Sequence, residues 1–212
     1  MTGPAPKVVL ATRNAGKIRE MRRILADAAV PIELIGLEEF PRIGEVAETG
    51  LTFAENALLK AHAVARGSGL PAIADDSGLC VDALGGMPGV FSARWAGVRT
   101  GDALAKDKAN LDLLLAQLCD VPEGRRGAHF ACAAALALPS GEEHVVEGAM
   151  HGSLIFEPRG TGGFGYDPIF VPEGGDRTTA ELSAEEKDAI SHRGRAFRAL
   201  VPVISQVLVS PA

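Results

Sequence analysis

The sequence predicts an α/β fold, a long mixed central sheet flanked by helices, and two observations predict it. In the first half, short apolar runs alternate with segments whose apolar residues recur at helical spacing. In the middle, apolar runs follow one another without helical patterns between them, so several strands pair locally. Alternation alone gives a parallel sheet; the cluster makes it mixed. The 212 residues fit a single domain over 1–212, undivided or with two lobes and a cleft.

Val8–Ala11 is a compact apolar strand, and Ile18, Met21, Leu25 and Ala28 lie on one face of the helix that follows. Pro31–Leu37 reads as a second strand and residues 38–50 as an acidic loop. Thr52 and Glu55 form a capping-box signature before a helix aligned on Phe53, Ala57, Ala61 and Val64. Pro71–Ala74 is a short buried strand ending at Asp75-Asp76-Ser77-Gly78, and the glycine-dense stretch 85–97 is loop. Asp102 opens a helix with Leu104, Leu111, Leu115 and Leu118 inward. His129–Leu138 reads as a central strand, with Val145–Met150, Leu154–Phe156 and Ile169–Val171 as further strands. Ser183 and Glu186 cap a short helix, and a break at 191–194 precedes a last helix whose Phe197, Leu200 and Val201 face the core.

A net charge of −6 leaves no broad basic surface for a nucleic-acid polymer, so an anionic ligand needs a few placed cations, a metal or backbone N–H groups. Cys80, Cys119 and Cys132 are odd in number and lack C-x-x-C spacing; they read as small buried hydrophobes in a reducing compartment. No apolar run approaches the ~18 residues of a membrane span, and Met1–Pro6 has no leader pattern, so the expected location is the cytoplasm.

Four stretches carry chemistry. Thr12-Arg13-Asn14-Ala15-Gly16-Lys17 joins strand to helix, where N–H groups and the helix dipole favour an anion; an ordinary βα turn with an Asn cap fits the same text. Asp75-Asp76 sets two carboxylates side by side, costly in a partly buried loop unless a cation is shared. Mg²⁺ suits such a site, with Glu48 as a further ligand; the alternative is an Asp-rich turn on an acidic surface. Phe164 and Tyr166, in the Gly-lined loop 162–168, are placed to stack on a base or to fold back onto the core. Lys187, His192 and Arg193 are donors that favour a 6-oxo purine edge over 6-amino, or else solvated cations at a helix break.

Together, VLATRNAGKIREM, ETGLTFAENALLKA, AIADDSGLCVDALGGMPGVFSARWAG, GTGGFGYDPIF and AELSAEEKDAISHRGRAF resemble the inosine/xanthosine triphosphate pyrophosphatase family, in family order from about Val8 to Phe197. That family hydrolyses non-standard purine triphosphates to the monophosphate and pyrophosphate. The resemblance implies two lobes with the nucleotide in the cleft between them, and a homodimer. It implies Mg²⁺ on Glu48 and Asp76, with Asp76 as proton acceptor and Asp75 supporting it. Thr12, Arg13, Asn14, Ala15, Gly16 and Lys17 would hold the triphosphate, and Ser77 would touch substrate. Phe164 would stack on the base in a pocket shaped by Gly165, Tyr166 and Asp167, with Lys187, His192 and Arg193 reading the base edge. Arg13 and Ala47 depart from the commonest family text without removing a matched residue. A pyrophosphatase for modified pyrimidine nucleotides and a non-catalytic nucleotide sensor are the rival readings.

Overall fold

The computed structural model describes residues 5–98 and 102–209. Six strands form one sheet: β1 (Lys7–Leu10), β2 (Glu33–Gly36), β3 (Ala72–Val81), β4 (Gly127–Ala137), β5 (Glu143–Leu154) and β6 (Phe170–Pro172). Their order is β2-β1-β3-β4-β5-β6. β1 runs parallel to β2 and β3, while β5 and β6 are antiparallel, so the sheet is mixed as expected. Five α-helices accompany it: α1 (Ala15–Asp27), α2 (Phe53–Ser68), α3 (Ala103–Gln117), α4 (Ala184–Ile190) and α5 (His192–Ile204). None is long and apolar enough to cross a membrane among the described residues.

The chain divides into two compact units. The first holds Met1–Asp76, Cys132–Gly148 and Arg193–Ala212; the second holds Ser77–Ala131 and Ala149–His192. In the first unit, side-chain alternation along each strand gives the sheet two apolar faces. Val8, Leu10, Ile73, Cys132 and Leu136 meet Met21, Ile24 and Leu25 of α1 and Phe197 and Leu200 of α5. Val9, Ala72, Ala74, Ala133, Ala135 and Ala137 meet Ala57, Ala61, Val64 and Ala65 of α2. Alanine faces alanine there, so a larger side chain would overpack the seam at a cost of about 1–3 kcal/mol. The second unit has its own core, in which Leu79, Leu111, Leu114, Leu118, Tyr166, Ile169 and Phe170 are buried. Buried Arg126 donates to the carbonyl oxygens of Leu118, Val121, Leu154 and Ile155, satisfying the end of α3 and the end of β5 with one side chain.

Several elements differ from expectation. β3 does not stop at Ala74 but continues to Val81, carrying the Asp pair inside the strand. The stretch from Glu143 to Leu154 is one strand, not two, because its polar residues sit on a half-exposed face. Leu104 is 79% exposed at the start of α3; the inward face is Leu111, Leu114 and Leu118. Within the glycine-dense loop, residues 82–84 and 89–94 are 3₁₀ turns. Cys119 is exposed, not buried. The capping box at Ser183 and Glu186 forms as expected, and only Ser191 breaks the chain before α5 begins at His192.

Candidate active site

The position of Asp75 and Asp76 inside β3 decides the chemistry of the first unit. Neighbouring side chains on a strand point to opposite faces. Asp75 shares a face with Ile73, toward α1 and α5; Asp76 shares one with Ala72 and Ala74, toward α2. The pair therefore does not close around one ion. Each carboxylate has its own partners.

Asp75 is buried, and its Oδ2 accepts from Lys17 Nζ at 2.8 Å and from Arg193 Nε at 3.1 Å. Arg193 Nη1 also donates to Glu20, 2.5 Å away on α1. Two cations and two carboxylates thus neutralise one another where water is excluded. Burial pushes Asp75 up, but Lys17 and then Arg193 outweigh it and hold the carboxyl well below the usual range. Arg193, grouped in the sequence with Lys187 and His192 as a base reader, is placed in this network. Successive helical residues point roughly 100° apart, so His192 and Arg193 at the start of α5 serve different surroundings.

Asp76 faces a different set. Its Oδ1 accepts from Lys60 Nζ at 3.1 Å and its Oδ2 from Asn56 Nδ2 at 3.1 Å. Lys60 Nζ also donates to Glu48 Oε1 at 2.7 Å, so Glu48 and Asp76 converge on one point of positive charge. Burial raises the Asp76 carboxyl above its ordinary value; Lys60 opposes the shift and Glu48 adds to it. For Lys60, burial acts downward, but Asp76, Asp75 and Glu48 together hold the ammonium above its usual range. Fully buried Asn56 is fixed from both ends, since its Oδ1 accepts the Gly50 N–H at 2.8 Å. That bond ties the loop carrying Glu48 to Asp76.

Gly50 packs against this tie. A Cβ there would lie 2.6 Å from Glu55 Cβ and 2.8 Å from Asn56 Oδ1. Gly50→Ala must therefore shift Asn56 or the Glu48 loop. The expected result is a loss of kcat/KM on the order of 10²-fold, the scale of an ångström misplacement in a catalytic site. Steady-state kinetics check it, with circular dichroism confirming the fold.

Among the described residues, no group of three or more His, Cys, Asp or Glu side chains is arranged to hold a metal. Two converging carboxylates nevertheless suit a hard ion such as Mg²⁺, which takes one or two carboxylates and completes its shell with water and phosphate oxygens. Glu48 and Asp76 are that donor set. Asp75 Oδ1 is also buried without a hydrogen-bond partner, though it belongs to the other face of the strand.

The loop before α1 follows the anion-site pattern with one difference. Asn14 Oδ1 accepts from Gly16 N and Lys17 N at 2.9 and 3.1 Å, so the side chain caps the N–H groups that a phosphate would use. Thr12 Oγ1 accepts from Asn14 N, and Arg13 reaches the carbonyl oxygen of Ile43. Lys17 points to Asp75. Ala15 begins α1, and its side chain lies outside the described residues.

The second unit holds the aromatic loop. Asp167 is its anchor: Oδ2 accepts from Phe164 N at 2.7 Å and from Lys187 Nζ at 2.5 Å, and Oδ1 accepts from Thr179 Oγ1 at 2.8 Å. Buried Tyr166 donates its hydroxyl to Ser92 O at 2.9 Å, and burial, then Asp107, raise its pKa and keep it a donor. Phe164 stays 39% exposed with Lys187 Nζ 5.2 Å over its ring. Its open face is available to a planar ligand. His192 stacks on Phe130 with centroids 4.9 Å apart. Half-buried Ser77 follows Asp76 on β3.

Sequence reasoning missed Asn56, Lys60, Glu20 and Asp107. A signal existed for two of them. Asn56 and Lys60 stand one helical turn apart beside Ala57 and Ala61, where polar residues interrupt a buried stripe. Glu20 and Asp107 carry no such mark.

Known proteins agree with this arrangement along the whole chain. The model of the Ham1 family matches residues 8–203. A dITP/XTP pyrophosphatase of Streptomyces coelicolor is 67% identical over 202 residues, covering 95% of this chain and 98% of that protein. The solved nucleoside-triphosphatase / dITP/XTP pyrophosphatase of Mycobacterium abscessus is 55% identical with a TM-score of 0.74, covering 93% of this chain and 99% of that one. The HAM1 protein of Coxiella burnetii superposes with a TM-score of 0.84 at 41% identity, covering 95% and 100%. With the family model spanning nearly every residue and relatives matched end to end, the chain belongs to the Ham1 family.

Proposed function

We propose that this chain hydrolyses non-standard purine nucleoside triphosphates (dITP, ITP, XTP and dXTP) to the monophosphate and pyrophosphate, clearing them before they enter DNA or RNA. The observation that carries the reading is the convergence of Glu48 and Asp76 on one cationic point, in a chain whose relatives are named dITP/XTP pyrophosphatase. Water adds to the α-phosphorus while the bond to the bridging α–β oxygen breaks, and pyrophosphate departs with that electron pair. Asp76 takes the proton from water, a role suited to a carboxyl whose pKa is raised by burial. Lys17 and Lys60 offset charge on the phosphates, and Asp75, held by Arg193, orients Lys17. Glu48 and Asp76 would hold Mg²⁺, which supplies Lewis-acid charge on phosphoryl oxygens.

Base choice falls to the second unit. Phe164 stacks, while Lys187 and His192 offer donors to a 6-oxo group. A 6-amino group would leave a buried donor unpaired, the strong form of discrimination. A homodimer acting in the cytoplasm on small nucleotides completes the proposal. The test is pyrophosphate release from dITP, XTP, dATP, dUTP and 5-methyl-UTP, with and without EDTA. Turnover of dITP and XTP that EDTA abolishes and excess Mg²⁺ restores is the expected result. Preference for the pyrimidines would support the rival enzyme reading, and no turnover on any triphosphate the nucleotide sensor.

A further inference from the structure

The loop that carries Phe164 is held from four directions, and one hold comes from an element with no part in the motif. Phe164 N and Lys187 close on Asp167, Thr179 closes on Asp167 from the other side, and Tyr166 closes on Ser92. The fourth is Asp107 on α3, whose Oδ2 accepts the Gly165 N–H at 2.9 Å across 58 residues of sequence. Gly165 has φ +62, a left-handed conformation that glycine tolerates and most residues avoid. Its N–H direction is set by that conformation, so a fixed acceptor opposite it fixes the peptide that follows Phe164.

The same helix holds the Tyr166 side of the loop. Asn110 Oδ1 accepts the Ala96 N–H at 2.8 Å, and Gln117 accepts from Trp95 Nε1 at 2.8 Å. Both bonds secure the segment that begins with the 3₁₀ turn Gly89–Arg94, and Ser92 of that turn receives the Tyr166 hydroxyl. Asp107 and Asn110 lie three residues apart, on one side of α3. One helix therefore braces both ends of the exposed Phe164 ring.

We propose that Asp107 is a positioning residue for base recognition: it holds Gly165, and through it the plane of Phe164, without touching the reacting phosphates. This rests on the proposed stacking of the base on Phe164. A charge-assisted hydrogen bond of this kind is worth a factor of roughly 10–100 when lost. Asp107→Ala should raise KM for dITP and XTP about tenfold with kcat changed less than about twofold. Asp107→Asn keeps an acceptor oxygen and should restore KM to near the wild-type value. A base-free substrate, 2-deoxyribose 5-triphosphate, should be turned over equally by wild type and both variants. Inosine monophosphate binding, measured by calorimetry, should weaken with Asp107→Ala in step with KM.

The proposal is overturned if Asp107→Ala matches wild type on dITP, lowers kcat alone, or slows the base-free substrate equally. It is overturned too if Asp107→Asn is as impaired as Asp107→Ala, since the charge and not the bond would then matter. Should wild-type protein neither hydrolyse dITP nor bind inosine monophosphate, the functional reading falls first and this one with it. If Asp107→Ala does not fold, Asp107→Ser, too short to reach Gly165, takes its place with the same expected KM.

Discussion

Asp76→Asn is expected to lower kcat on dITP by about 10²–10⁴-fold, the span of a lost general base. The amide keeps the size of the side chain and can still accept from Lys60 and Asn56, so the strand and its contacts survive. Nucleotide affinity should persist, because Lys17, Phe164 and Lys187 are untouched. Single-turnover kinetics with calorimetry separate the two quantities. Loss of binding with unchanged turnover of bound substrate would assign Asp76 to substrate affinity and not to proton transfer.

Arg193→Ala is expected to destabilise the protein by about 3–5 kcal/mol, because it strands Glu20 and Asp75 as buried carboxylates with fewer cations between them. For a chain of this size that is a fall in Tm of roughly 10 °C. Adding Glu20→Gln should recover part of the loss, since it neutralises one stranded carboxylate. Thermal denaturation reads both effects. A variant with unchanged Tm and a raised KM for dITP would restore Arg193 to the base edge, where the sequence motif alone had put it.

Much of this fold was legible because apolar periodicity and caps are local signals. The strand at Val8, the helix capped by Thr52 and the capping box at Ser183 all follow from neighbouring residues. What failed to read were features set by distant partners. Asp75 and Asp76 look like the end of a strand, because charge in a sheet is costly. They remain in β3 because α1, α2 and α5 bring cations and an amide to them from 16 to 118 residues away. Leu104 shows the converse: it fits a helical stripe, yet the helix starts too far from the core to bury it.

The candidate site divides in the same way. Glu48, Lys17, Phe164 and Asp167 were found because the motif marks them and the structure gives each a role compatible with that mark. Lys60 went unnoticed, although it is the group on which Glu48 and Asp76 converge, because one lysine on a helix is usually a solvated one. Asp75 also changed meaning. Side by side in sequence, the two carboxylates look like one metal site; the strand's period of two gives Asp75 to an ion-pair network and leaves Asp76 to the chemistry.

Hydrolysis of dITP in ¹⁸O-labelled water with Mg²⁺, followed by ³¹P NMR or mass spectrometry of the products, tests the central claim most directly. Attack of water on the α-phosphorus puts the label in deoxyinosine monophosphate and leaves pyrophosphate unlabelled. Label in pyrophosphate, or products that are the diphosphate and inorganic phosphate, would contradict it.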